Sequence, residues 1–309
     1  MKTFEYTFAS STGTDDIRVK GWLPEGEPKA VIQYHHGVTS HIDKHSDEME
    51  WLCERGYAVV GNDCLGHGKL AFESGHLGWF AEKDGWLHVV NDFASVYKQV
   101  KERFPGLKHV LYGNSMGSFV VRSFLIRFPG EKPDAVVLSA TSMNTPELLR
   151  DSYKLIDELL SQGRDPKKGS SAIQRFAFGD YCARIENPKS PFDWVCSDVE
   201  RMMSRPGDGY SMFIMCPLLF RDMTDGQAFN SEPENIAKMR KDVPVYIVSG
   251  KDDPAGAYGE GPKKVAQAFK NAGVEDVTLR LWEGERHDLF QGFKGEQVMT
   301  EMVNWIETK

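Results

Sequence analysis

No stretch of this sequence approaches the roughly 18 consecutive apolar residues that span a bilayer. Its apolar runs, such as the AVVLSA of residues 135–140, are strand-sized. Basic charge is also in deficit. With 37 Lys and Arg against 45 Asp and Glu the net charge is −8, which repels nucleic acid and gains nothing from anionic membrane surfaces. The five cysteines are scattered, odd in number and never spaced C-x-x-C, so neither a disulfide framework nor a zinc ribbon is expected. The opening MKTFEYTFASSTGTDD has no apolar core of a secretory signal, and reduced thiols in a cytoplasmic protein are the expectation. G-x-x-x-x-G-K-[ST] and H-E-x-x-H are both missing. What remains is an ordinary globular composition, 40% hydrophobic, 27% charged and 11% aromatic over 309 residues. A chain of this size makes one large domain or two small ones and buries about three quarters of its unfolded surface.

Short β-rich runs alternate with amphipathic stretches over residues 1–144. FEYTFASSTGTDDIRVKGWLP reads as a strand pair, and AVIQYHHG, YAVVGND, HVLYGN and AVVLSA as mostly apolar strands. Between them, SDEMEWLCERG and KDGWLHVVNDFASVYKQVKERF place apolar residues at helical spacing, and another helix is expected from Ser115 to about Phe128. Apolar strands separated by helices imply an α/β fold with a mostly parallel sheet covered on both faces. From Asn144 to Met239 the rhythm breaks into helical and irregular sequence. It returns with VPVYIVSG, KKVAQAFKNAG, VTLRLWEG and EQVMTEMVNWIE. The expected organisation is a core of residues 1–144 and 240–309, interrupted by a mainly helical insert at 145–239.

Gly113-Asn114-Ser115-Met116-Gly117 fits G-x-S-x-G between a strand and a helix, the context that lifts a nucleophilic serine above a sheet edge. A serine hydroxyl needs a base, and the base needs an orienting acid, in the chain order Ser, Asp or Glu, His. Of nine histidines, only His287 follows Ser115. The acid should follow VPVYIVSG, where Asp252 and Asp253 both qualify. Two backbone N–H donors must hold the oxyanion: Met116, next to the nucleophile, and Val38, in the loop after AVIQY. His35, His36, His41 and His45 form a cluster without metal-site spacing, so no metal is expected. Gly66-His67-Gly68-Lys69-Leu70-Ala71 also matches G-x-G-x-x-A, but the glycine-rich FESGHLGWFAEKDG after it argues for a loop and not a dinucleotide site. Met202, Met203, Met212, Phe213 and Met215 suit an acyl pocket, although an insert core would use the same residues.

Taken together, the HHG loop, Asp63 with Gly66-His67-Gly68, GNSMG, the insert, SGKDDPAG and GERHD resemble the α/β-hydrolase family, over almost the whole chain. Within it they resemble the monoacylglycerol lipase and lysophospholipase branch. The resemblance implies that the aspartate before the proline, Asp253, is the triad acid and that the insert caps an acyl pocket. Pro254 favours the same residue, because it holds Asp253 in extended backbone. Relatives often carry Arg before GHG and Asn-Glu after the histidine, where this chain has Leu65 and Gln291-Gly292. The expected activity is serine ester hydrolysis of monoacylglycerols, lysophospholipids or short esters, without metal or organic cofactor. Alternatives are an aminopeptidase of the same fold, using Glu186, Asp193 or Asp198 to hold an amine, and a non-catalytic ligand-binding protein. Nothing in the pattern specifies an oligomeric state.

Overall fold

The computed structural model describes residues 1–204 and 207–309. Arg205 and Pro206, in the expected insert, lie outside the described residues. Eight strands form one sheet: β1 (Lys2–Ala9), β2 (Asp16–Leu23), β3 (Val31–His35), β4 (Ala58–Asn62), β5 (His109–Asn114), β6 (Ala135–Ser139), β7 (Val245–Gly250) and β8 (Val277–Trp282). Their order is β1-β2-β4-β3-β5-β6-β7-β8. β1 pairs antiparallel with β2 and β2 antiparallel with β4, while every pairing from β4 through β8 is parallel. This is the expected architecture.

Strands β3 to β7 are buried along their whole length, as their near-continuous apolar sequences require. Side chains alternate between two cores. Leu111, Val136, Leu138 and Ile247 pack with helices Gly85–Arg103 and Met116–Arg127 on one face. Val110, Tyr112, Val137 and Tyr246 pack with helices Ser46–Glu54 and Gly295–Glu307 on the other. Fully burying each large apolar side chain contributes about 1.5–3 kcal/mol. In register, His35 pairs with Gly113, Asn114 with Ser139 and Gly250 with Trp282. The loops after β3, β5, β7 and β8 therefore leave the sheet from one edge, where open α/β sheets place their ligand sites.

One local reading is corrected. Residues 68–74, expected as loop, form the helix Gly68–Ser74. Lys69-Leu70-Ala71-Phe72-Glu73 are adequate helix formers, and Gly75, at φ 77°, ends the helix after two turns. Of the glycines that suggested a loop, Gly75 ends this helix, Gly78 lies in the turn that follows and Gly85 begins the next helix.

Between β6 and β7 the chain forms helices Pro146–Ser161, Ser171–Phe178, Val199–Met203, Pro217–Ser231 and Pro233–Ile236, with no strand among the described residues. The start of this excursion and its helix Pro217–Ser231 are both held by one side chain. Arg122, fully buried on helix Met116–Arg127, donates from Nη1 to the Ser142 carbonyl (2.7 Å) and from Nη2 to the Asn230 carbonyl (3.1 Å). No helix among the described residues is long and apolar enough to cross a membrane.

The excursion also carries a buried acid to the start of a core helix. Asp222, only 9% exposed, lies so close to the start of helix Gly85–Arg103 that a Cβ on Gly85 would sit 2.1 Å from its Oδ2, and that oxygen has no hydrogen-bond partner among the described residues. Burial, reinforced by the Asp225 charge, pushes the Asp222 carboxyl up to about 7. The folded state thus keeps a proton that the unfolded chain releases near its ordinary value of about 3.9. Stability therefore falls as pH rises from about 4 to about 7 and stays reduced above that. Asp222→Asn keeps an acceptor and removes the charge. Its Tm should exceed the parent's by several degrees at pH 8, where about 1 kcal/mol is worth about 2–4 °C, and should match it near pH 4. Equal melting temperatures at pH 8 would show that the buried carboxylate costs nothing.

Candidate active site

Ser115 stands between β5 and the helix that begins at Met116, at φ 54° and ψ −119°. This conformation is costly for a residue with a Cβ, and it is held by Ser115 N–H donating to the Ser139 carbonyl (2.9 Å) and by Ser118 N–H and Oγ donating to the Ser115 carbonyl. The turn is possible only because its neighbour is small: a Cβ on Gly117 would lie 2.1 Å from the His35 carbonyl oxygen.

The sequence separates Ser115 from Asp253 and His287 by more than a hundred residues, and the sheet edge brings them together. His287 Nε2 lies 2.8 Å from Ser115 Oγ, and Nδ1 lies 2.9 Å from Asp253 Oδ2. A carboxylate at Nδ1 places the ring proton there, leaving Nε2 to accept from the serine hydroxyl. Asp253 is completely buried, and its other oxygen accepts from the Ala255 N–H (2.9 Å). Asp252 is exposed and contributes its backbone N–H to the Glu285 carbonyl instead. Burial lowers the His287 pKa, but the charge and hydrogen bond of Asp253, with the Asp288 charge, outweigh it and hold the imidazole above its ordinary value.

Val38 is half-buried in the loop after β3, and Met116 is buried at the first position of its helix. The first N–H groups of a helix lack intrahelical partners and favour negative charge. The loop backbone lies against the serine: a Cβ on Gly37 would sit 3.1 Å from Ser115 Cβ. His36, which sequence reasoning left in an unassigned histidine cluster, orients this loop. Its Nε2 accepts from the Cys64 N–H (2.9 Å), so Nδ1 carries the proton and donates to the Gly37 carbonyl (2.7 Å). The Gly37–Val38 peptide is trans, so the Val38 N–H points away from the His36 ring. Burial holds His36 well below its ordinary value and His35 at about 4, keeping both rings neutral. Among the described residues no three His, Cys, Asp or Glu side chains converge as a metal site.

The five apolar residues expected at a pocket do not form one cluster. Met215 is buried in the main core, Phe213 packs on the His67 ring (centroids 5.2 Å apart), Met202 is half-buried, and Met203 and Met212 are exposed. Around the site, the excursion touches each catalytic-type loop. Asp208 accepts from His41 (2.8 Å) and pairs with Lys44 (3.1 Å), and Met212 N–H donates to the Thr39 carbonyl. Arg184 stacks on Tyr258 beside Asp253. Arg286 Nη1 donates to the carbonyls of Asp193 (2.6 Å) and Cys196 (3.0 Å), and Ser197 Oγ donates to the buried Glu285. These contacts leave no motif, since several end on backbone atoms and the rest join residues far apart in sequence.

The sequence profile described as serine aminopeptidase, S33, aligns with residues 26–292. A monoacylglycerol lipase of Mycolicibacterium smegmatis is 28% identical over 307 residues, 98% of this chain and 96% of that protein. A bifunctional esterase/perhydrolase of Acinetobacter calcoaceticus is 27% identical over 267 residues, 83% and 85% of the two chains. The crystal structure of a highly thermostable carboxyl esterase from Bacillus coagulans, in complex with glycerol, superposes with a TM-score of 0.89 at 25% identity, covering 100% of this chain and 99% of that one. With a profile spanning most of its length and the matching sheet, the chain belongs to the serine aminopeptidase S33 family of α/β hydrolases.

Proposed function

We propose that this hydrolase is a serine ester hydrolase acting on carboxylic esters of small acyl lipids, of the monoacylglycerol or lysophospholipid class. The observation that carries the reading is the unbroken hydrogen-bonded line from buried Asp253 through His287 to Ser115. Ser115 Oγ attacks the ester carbonyl as His287 Nε2 takes its proton. Asp253 holds the imidazole tautomer and stabilises the imidazolium. The Val38 and Met116 N–H groups bind the oxyanion, each worth about 3 kcal/mol of transition-state stabilisation. His287 then protonates the departing alcohol, and water, activated by the same base, releases the acyl group. Residues 145–239 act as a cap, with Phe213 on the substrate side, and no metal or organic cofactor enters. The lipase and esterase relatives support the ester class.

The aminopeptidase reading finds less support. Asp193 accepts from the Lys189 N–H and Ser190 Oγ, and Asp198 caps the helix Val199–Met203 through the Arg201 N–H. Both carboxylates are committed locally, and Glu186 is exposed. A screen of acyl esters of graded chain length beside aminoacyl amides tests both readings, and amide turnover without ester turnover would reverse the choice.

Ser115→Ala should abolish ester hydrolysis and fluorophosphonate labelling without loss of folding; labelling that persists would remove Ser115 as nucleophile. Asp253→Asn should cost about 10⁴-fold in kcat. Asp252→Asn should cost less than about tenfold, because its side chain reaches solvent. A larger loss at a folded Asp252→Asn would reassign the acid.

The pH dependence follows from His287. It must be neutral to accept the serine proton, and its pKa is raised. The acid limb of kcat/KM should therefore have its midpoint above 6.5, the ordinary imidazole value. A midpoint below 6.5 would mean that Asp253 does not govern the base.

A further inference from the structure

Hydrogen bonds at both nitrogens fix His287 within its own plane but leave the ring free to rock about the line joining them. We propose that Trp194, carried by the insert, is a positioning residue that fixes the face of the His287 ring. The proposal rests on the serine-hydrolase reading above.

The indole lies against the imidazole with ring centroids 5.1 Å apart and planes inclined at 52°. Trp194 is itself immobilised. It is 7% exposed, stacks on Phe178 (5.5 Å, 19°) and meets Tyr181 edge-on (4.8 Å, 81°). The two backbone segments are stapled together around this contact. Arg286 Nη1 donates to the carbonyls on either side of Trp194 and Val195, those of Asp193 and Cys196. The Asp288 N–H donates to the Val195 carbonyl (2.6 Å), and Ser197 Oγ donates to Glu285 Oε2 (2.7 Å). Residues 193–197 and 285–288 thus form one unit that holds the indole and the base together. The charged groups acting on His287 are Asp253 and Asp288. From the insert, Trp194 adds an uncharged apolar face, and the Asp193 carboxylate is turned to Lys189 and Ser190. Trp194 therefore restrains rocking and keeps water off one side of the imidazole, without altering its ion pair.

The test compares Trp194→Ala and Trp194→Phe with the parent on a soluble short-chain p-nitrophenyl ester across pH. For Trp194→Ala, kcat should fall about tenfold or more with KM within about twofold. The acid limb should move to higher pH by about half a unit, because water on the exposed ring face relieves the burial that opposes imidazolium. Trp194→Phe, which keeps a flat apolar face, should restore both. An unmoved acid limb, or a loss confined to KM, would make Trp194 only a wall of the substrate pocket and overturn the proposal.

A second measurement needs no change at Trp194. Protonated imidazole quenches an indole in contact with it, so tryptophan emission of the intact protein should drop as pH falls through the His287 midpoint. His287→Gln should lack that step, and the same step in both proteins would overturn the contact. If the parent neither hydrolyses esters nor labels with fluorophosphonate, the ester-hydrolase reading fails by itself, and the fluorescence step still decides whether Trp194 reports on His287.

Discussion

Asp253 carries a carboxylate into a site that water does not reach, and its position organises the rest of the edge. A buried charge is tolerable only when hydrogen-bond donors surround it, and losing one partner of a buried pair typically costs about 3–5 kcal/mol. Here the donors are the His287 imidazole and the Ala255 N–H. Satisfying that one carboxylate fixes the turn after β7 and the loop after β8 relative to each other, and through His287 it fixes Ser115 as well. The strained backbone at Ser115 persists because these neighbours, and the Ser139 and Ser118 hydrogen bonds, over-determine it.

Much of this edge was legible before any coordinates. Strands β3 to β7 announce themselves because burial on both faces removes polar residues from them, and chain order left a single histidine to follow Ser115. Asp253 was preferred to Asp252 because the family resemblance points to the aspartate before the proline and because Pro254 constrains only its immediate predecessor. Helix Gly68–Ser74 was hidden, since Gly68 and Gly75 look like loop residues and act as its boundaries. The loop after β3 was singled out for its backbone N–H, but the two bonds by which His36 orients that loop were not read. Both run to the backbone of Cys64 and Gly37, and backbone partners leave no residue-type signature. Trp194 escaped for the same reason. Its placement depends on carbonyls grasped by Arg286, in a stretch with neither strand nor helix periodicity.

The methionines show a different limit. Met202, Met203, Met212 and Met215 share composition and proximity in sequence, yet they are distributed from core to surface, because an irregular segment turns successive side chains in unrelated directions. Periodicity is what lets a pattern predict a face. Residues 193–213 have little, apart from the short turns Asp193–Val195 and Val199–Met203. Their order comes from outside: Arg286, Glu285, His41 and Lys44 all belong to the part of the chain that builds the sheet.

Arg122 grips the insert by the Ser142 and Asn230 carbonyls, which every residue type supplies. The arginine itself reads only backbone, but Asn230 is demanded as a residue, because its buried side chain accepts from Ser123 Oγ (2.8 Å) and donates to the Phe119 carbonyl (2.8 Å). An arginine on the helix behind the reactive turn thus ties the segment after β6 to helix Pro217–Ser231 of the insert. For this chain, exposed insert positions away from Trp194 and Asn230 are the ones where variation can reshape what lies above Ser115 while the sheet beneath is kept.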